Sequence, residues 1–186
     1  MSWDAFHRRE DVLRTVADEA DRRRDGALPT EVPGVAETFP DDFALVTALQ
    51  MRWHTHMAGR LERALMHQPD DLDAAVVDAW RVAADELAGV RQVLDRCAAE
   101  PTTPEMGESL RRAAGKDHAL MAAMAGRASV SDAAALLVGR RLEQRARAGH
   151  DPAAAPRRTA QKQPDPGEHA AAHGSLLHRI KAHLAA

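Results

Sequence analysis

The chain has 186 residues, a formal net charge of −3 and 45% hydrophobic residues, which is enough for one domain with an apolar core. Aromatic residues make up only 3%, and the one cysteine, Cys97, excludes an intrachain disulfide, so the core is predicted to consist of Leu, Val, Ala and Met. The first residues lack the apolar segment of a signal peptide and no apolar run is long enough to cross a bilayer, so we expect a cytoplasmic protein that does not enter membranes.

The first two predicted helices are separated by a long loop. The first covers about residues 3–23, and the loop after it contains three prolines and two glycines and is expected to include one short helical turn. The second helix begins after Asp41 or Asp42 and extends to about His67. A tight link at 68–70 follows, which predicts that the second and third helices form an antiparallel hairpin.

Three further helices are predicted between this hairpin and residue 148. The third covers about residues 71–99, and its apolar residues follow the clearest helical spacing in the chain: Val76, Trp80, Ala83, Leu87, Val90, Leu94 and Cys97. The fourth opens with Thr103 as N-cap and Pro104 at the first helical position. The fifth begins at Ser129 or Ser131 and ends near Arg147, and we expect this weakly amphipathic helix to pack at the end of the bundle.

These elements predict an all-α fold, an antiparallel four-helix-type bundle with an extra short helix, over residues 1–148. The composition then changes to Ala, Pro, Gln and charged residues, which indicates a flexible linker over residues 149–167. Residues 168–186 form a predicted amphipathic tail. Its apolar face, and thus the candidate surface for a partner, consists of Leu176, Leu177, Ile180 and Leu184.

Charged residues of the second and third helices can pair across the predicted hairpin. Folding about residues 68–70 brings Arg60 near Asp78 and Arg52 near Asp85. Each such pair contributes only about 0.2–1 kcal/mol, so the pairs are expected to set the register of the hairpin.

A bundle of this size is a common host for a ferritin-like di-metal site, but such a site needs two Glu-x-x-His motifs and the sequence has none. A looser cluster of Glu10, His54 and Asp117 falls on the apolar faces of three helices and could hold one Fe, Mn or Zn ion or a small molecule. The alternative is that His54 and Asp117 form a buried hydrogen-bonded pair, or that Glu10 reaches solvent at the edge of the bundle. In that case no cofactor is expected.

No other pattern points to catalysis. Cys97 lies on an apolar stripe with no base assigned near it, which is typical of an inert core thiol. No serine stands in a strand–turn–helix elbow and no Gly-rich phosphate loop is present. The sequence therefore favours a non-enzymatic protein.

The charge is unevenly distributed along the chain. Residues 1–126 carry 15 Lys and Arg against 23 Asp and Glu, whereas residues 127–186 carry 10 against 5. The acidic first part argues against nucleic acid as a partner, since the basic tail alone would provide electrostatics without base recognition. A basic amphipathic tail on a flexible linker is typical of a tethered docking helix. Packing back on its own bundle remains the alternative.

Four segments together resemble small, functionally uncharacterised helical proteins of actinobacterial type. They are MSWDAFHRREDVL, LQMRWHTHMAGRLERAL, AADELAGVRQVLD and LMAAMAG, all within the first four predicted helices. The resemblance implies a helical bundle and a high-GC origin. It implies no activity, cofactor or site residue.

Two functional hypotheses follow from these observations. The first is a non-enzymatic interaction or regulatory module that engages a protein partner, or a second copy of itself, through the tail helix. The second is a ferritin-like metal- or small-ligand-binding bundle that uses Glu10, His54 and Asp117.

Overall fold

The computed structural model describes residues 3–129 and 132–151, and every regular element in these ranges is a helix. The predicted all-helical fold is therefore confirmed. The tail, with the candidate partner-binding residues Leu176, Leu177, Ile180 and Leu184, lies outside the described residues, as does the linker from residue 152 onward. The helices are α1 (Trp3–Arg23), α2 (Val35–Thr38), α3 (Asp42–Met66), α4 (Leu72–Glu86), α5 (Ala88–Ala99), α6 (Pro104–Met124) and α7 (Ala133–Ala148).

Helix α3 is the longest described helix and contacts α1, α4, α5 and α6. Its buried residues recur every three or four positions and are Leu45, Val46, Leu49, Trp53, Met57 and Leu61. A fully buried side chain of this kind stabilises the fold by about 1.5–3 kcal/mol. Packing of these residues therefore fixes the position of α3, which provides half of the residues that line the candidate site. In the described ranges, no helix has the length and apolar character needed to span a membrane.

Side-chain caps fix the starts of three helices. The Asp41 carboxylate accepts the backbone N–H of Ala44 at 2.7 Å, and Asp71 accepts that of Ala74 at 3.0 Å. The predicted start of α6 is confirmed, with Pro104 as the first helical residue and Thr103 Oγ1 accepting a backbone N–H at 3.2 Å. Each cap satisfies a donor that the first helical turn leaves without a partner.

Helices α3 and α4 form the predicted hairpin, but the predicted charge pairs across it are wrong. Arg60 and His56 both bind Glu86, with His56 Nε2 at 2.7 Å from a carboxylate oxygen. The two predicted acidic partners are turned elsewhere: Asp78 pairs with Arg81 on its own helix, and Asp85 pairs with His150. His56 and Arg60 are one helical turn apart, so both reach the same carboxylate.

The predicted third helix is divided into α4 and α5 at Leu87. This residue leaves helical geometry with φ −124° and ψ 40°. The cause lies in the packing of Gly89 on α1, where a methyl group would overlap the backbone of Ala20 and Asp21. The carboxylate of Asp21 also accepts the Gly89 N–H at 3.4 Å. The apolar stripe survives the break, since its members from Val76 to Leu94 are all buried.

The last described helix, α7, lies against α6 and α4. At Gly139 the two helices approach so closely that a methyl group would overlap the carbonyl of His118. At the other end of α7, the Arg81 guanidinium donates to the carbonyls of Ala146 and Arg145, both at 3.1 Å. Alanine and glycine in α7 thus permit a close helix–helix contact rather than weaken the helix.

The loop between α1 and α3 contains the expected short helical turn, α2. Gly34 precedes it with φ 89°, a conformation that glycine adopts without strain. Val35 and Phe39 then insert into the core. The guanidinium of Arg9 lies 4.4 Å from the centre of the Phe39 ring and donates to the carbonyl of Thr38. These contacts hold the loop against α1.

Candidate functional site

The candidate site is built around Asp117, which points inward from the apolar side of α6, as its place in the helical spacing predicted. The residue is 7% exposed. Three side chains of α3 hydrogen-bond to its carboxylate: Gln50 Nε2 at 3.1 Å, Trp53 Nε1 at 3.2 Å and His54 Nδ1 at 2.5 Å. The sequence alternative in which His54 and Asp117 form a hydrogen-bonded pair is therefore confirmed.

The environment of Asp117 sets its chemistry. Burial raises the pKa of the Asp117 carboxyl group, and the hydrogen bond and charge of His54 lower it again in part. Because the carboxylate is an acceptor, Nδ1 of His54 is the ring nitrogen that donates to it. The other ring nitrogen, Nε2, forms no hydrogen bond within the described part of the chain. A carboxylate that orients a histidine leaves that second nitrogen available for a ligand.

A groove between α3 and α6, here called the outer groove, lies over this pair. It has a volume of about 360 Å³. Gln50, His54 and Asp117 provide its polar groups, and Lys116 provides an exposed cation that forms no ion pair among the described residues. The remaining lining residues are Phe43, Val46, Thr47, Met51, Ser109, Leu110, Arg112 and Ala113. Seven of the twelve lining residues are polar or charged, although most of the accessible surface of the groove is apolar.

Glu10 is not part of this cluster in the way the metal hypothesis requires. It is exposed on α1, which agrees with the alternative in which it reaches solvent. Over residues 3–129 and 132–151, no group of three or more His, Cys, Asp and Glu side chains is arranged to hold a metal ion. The structure thus brings two of the three candidate ligands together, His54 and Asp117, and leaves the third apart.

A second polar cluster joins α6 to α7, and sequence reasoning did not find it. His118 Nε2 lies 2.5 Å from a carboxylate oxygen of Glu143, and Arg147 Nε donates to the same carboxylate at 2.9 Å. Although burial alone would raise the pKa of Glu143, the hydrogen bond from His118 and the charge of Arg147 lower it to about 2. The sequence feature that could have predicted this cluster is Glu143, an acidic residue next to Leu142, which is buried in α7.

The structure also bears on Cys97, for which the sequence made a prediction, and on Trp53, for which it made none. Cys97 is half-buried, and burial raises the pKa of its thiol, which disfavours the reactive thiolate. The indole N–H of Trp53 was not predicted as a donor to Asp117, although Trp53 is adjacent to His54 in sequence. A buried indole that faces a carboxylate is a favourable donor, since its N–H needs a partner when water is excluded.

Comparison with known proteins adds no relative to this description. No protein-family model, no curated protein and no solved structure matches the chain. The function must therefore be argued from the geometry of the site.

Proposed function

We propose that this protein binds a small amphiphilic anion in the outer groove. The observation that carries the proposal is the pair of buried Asp117 and partly exposed His54 in the wall of the outer groove. With a volume of about 360 Å³, the groove has the size of pockets that hold small organic ligands, which are about 300–1,000 Å³. Such pockets contain a few polar groups in fixed positions. Here the hydrogen bonds to Asp117 fix the positions of Gln50 and His54.

The charges around the groove favour an anionic head group. Lys116 is an exposed and unpaired cation at the groove, whereas Arg112 is paired with Glu108. The Nε2 atom of a neutral His54 is an acceptor, so it would contact a donor group of the ligand rather than the anionic head group. A cation or metal ion is less well supported, because both oxygens of Asp117 already accept hydrogen bonds from three side chains. Phe43, Val46 and Leu110 would contact the apolar part of the ligand.

The proposal is tested with 1-anilinonaphthalene-8-sulfonate, an apolar anion whose fluorescence increases when it leaves water. The full-length protein is titrated with this probe, and the titration is repeated with Ala113→Phe, which fills the groove from α6. The control is Ala134→Phe, an exposed alanine of α7 outside the groove. We expect saturable binding to the wild type and to the control, and loss of binding to Ala113→Phe.

A further variant tests the charge. Lys116→Gln should lower the affinity for the probe by a few fold, because an exposed charge pair contributes about 0.2–1 kcal/mol. Equal binding of the probe by wild type and by correctly folded Ala113→Phe would contradict the proposal. Circular dichroism establishes that each variant is folded.

A second proposal is self-association through the basic tail, and exposed leucines on α7 favour it. Leu136 and Leu137 are 48% and 63% exposed. They stand near the start of the basic part of the chain, residues 127–186, while residues 1–126 are acidic. Opposite charges on the two parts would attract the tail of one copy to the body of another.

Sedimentation velocity of the full-length protein tests self-association. Leu177→Asp together with Ile180→Asp should yield monomer if the tail is the contact, and Ala172→Asp serves as the control for an added negative charge. A wild-type protein that is monomeric at all accessible concentrations would contradict this second proposal.

A further inference from the structure

A second cavity, here called the inner cavity, lies deeper between the helices and has a volume of about 170 Å³. It shares Gln50, Leu110 and Asp117 with the outer groove, and residues of all five helices from α3 to α7 enclose the remainder. Asp95 and Arg147 line it and are each about 40% exposed. A small molecule can therefore reach it from solvent at these residues.

Two guanidinium groups are held rigidly in the wall of the inner cavity. Arg91 lies 4.8 Å from the ring centre of Trp53, and Arg147 lies 5.0 Å from that of Trp80. Both guanidinium groups also bind the carboxylate of Asp95, with N–O distances of 2.9 Å. The two indole rings meet edge to face at 5.7 Å. Stacking and ion pairing together fix the positions of these groups before any ligand enters.

The carboxylates around the cavity are already engaged. Asp95 accepts from Arg91 and Arg147 with its two oxygens. Glu143 accepts from His118 and Arg147, and Asp117 accepts from its three partners on α3. The acidic residues in the wall therefore offer no free oxygen of the kind that would select a cationic ligand.

Three donor groups, in contrast, are left over. Within the residues that the structure describes, no hydrogen bond is formed by Nε or Nη1 of Arg91 or by the indole N–H of Trp80. Of these, Nε of Arg91 is buried and has no partner, whereas the Trp80 N–H keeps some accessible surface. Buried donors normally have a partner, and a cavity wall with one buried orphan donor and two further unpaired donors is suited to an acceptor.

From these contacts we infer that the inner cavity is a binding site for a small monocarboxylate, which accepts hydrogen bonds from Arg91 and Trp80. A carboxylate matches the planar fork of N–H groups on a guanidinium. An apolar cavity of about 150 Å³ holds a benzene molecule. The ligand therefore has about six non-hydrogen atoms, too few to fill the outer groove.

The test uses butyrate as the probe and butyramide, its neutral isostere, as the control. The full-length ¹⁵N-labelled protein is titrated with each, and the indole N–H signals of its three tryptophans are followed by NMR. The Trp80 signal should move downfield and saturate with butyrate, with a dissociation constant on the order of 1 mM for so small a ligand. The signal of Trp53, already bonded to Asp117, should move less, and butyramide should have little effect.

Two substitutions locate the site. Arg91→Lys keeps the positive charge but loses the fork of donors, and Trp80→Phe keeps a ring but loses the N–H. Each substitution should lower the affinity for butyrate by about tenfold, which is the effect of losing one hydrogen bond to a charged group. Arg96→Lys, on the exposed side of α5, should bind as the wild type does.

The inference is overturned if the wild type shows no saturable shift at concentrations about ten times the expected constant, or if butyramide binds equally well. It is also overturned if both folded variants bind butyrate with wild-type affinity. Ala113→Phe separates the two sites, because it fills the outer groove and should leave butyrate binding unchanged. Failure of one proposal therefore leaves the other open to its own test.

Discussion

His54 of α3 and Asp117 of α6 are joined by a hydrogen bond of 2.5 Å, so the imidazole is oriented by a carboxylate that lies in the core. Trp53 and Gln50 bind the same carboxylate. One acidic residue thus binds three side chains within about one turn of α3, and it lies in the wall shared by the outer groove and the inner cavity. Changes to Asp117 should therefore alter both stability and ligand binding.

The first prediction concerns the structural contribution of this carboxylate. Asp117→Ala leaves the buried donor groups of Trp53 and Gln50 without a partner, and an unsatisfied buried polar group costs about 1–3 kcal/mol. We expect a fall of at least about this size in the free energy of unfolding, measured with urea. Glu108→Ala removes an exposed ion pair on the same helix and should change stability by less than about 0.5 kcal/mol. Equal effects of the two substitutions would contradict the prediction.

The second prediction concerns the close contact between α6 and α7. Gly139→Ala places a methyl group against the backbone of His118, and overpacking of this kind costs about 1–3 kcal/mol. Gly59→Ala is the matched control, because the nearest atom to a methyl group there is an Arg63 nitrogen at 3.9 Å. That substitution should stabilise the helix by about 0.5–1 kcal/mol. Thermal unfolding of the two variants should therefore shift in opposite directions from the wild type.

The third prediction concerns acid stability. Glu143 has a pKa of about 2 in the folded protein against an ordinary value of 4.5. Because the folded pKa is depressed, the carboxylate stabilises the fold above pH 4.5, and this contribution is lost as the pH falls from 4.5 towards 2. The contribution amounts to roughly 3 kcal/mol at neutral pH.

Urea unfolding at pH 7 and at pH 3 measures this effect in wild type and in Glu143→Gln. The wild type should be the more stable protein at pH 7, and the difference between the two should become smaller at pH 3. A difference that is the same at both pH values would show that Glu143 does not contribute in this way.

The fourth prediction concerns the start of α6. Thr103→Ala removes the oxygen that accepts the N–H of Met106, and the loss of such a cap costs about 1 kcal/mol. Thr102→Ala provides the neighbouring control, since Thr102 contacts only the sulfur of Met106 with its hydroxyl, at 3.6 Å. If Thr102→Ala were the more destabilising of the two in urea unfolding, the assignment of the cap would be wrong.

Local patterns in the sequence predicted the elements well. Local patterns predicted α1 and α3 nearly to the residue and the start of α6 correctly. The spacing of apolar residues also placed Asp117 among inward-facing neighbours. The pairing of that residue with His54 was one of two alternatives, because helical spacing shows which residues face inward but not which of them meet. The hydrogen bond from Trp53 depends on the rotation of α3 against α6, which no local pattern contains.

The features that were missed depend on contacts distant in sequence. The break at Leu87 arises where Gly89 meets Ala20, 69 positions earlier in the chain. The placement of α7 depends on Gly139, which in isolation indicates only a weak helix. The partner of Arg60 is Glu86 rather than Asp78, because the paired side chains extend along the helices and do not connect directly opposite positions.

The fold does not stop at the last residue of α7. His150 lies with its Nε2 2.7 Å from Asp85 and its ring edge-on to Trp80 at 5.9 Å between centres. Trp80 in turn lines the inner cavity. A shortened protein that ends at Ala148 would therefore lose the contact of His150 with Trp80, whereas one that ends at Asp151 would keep it. A crystal structure of the helical part would show the native surroundings of the Trp80 indole only in the second case.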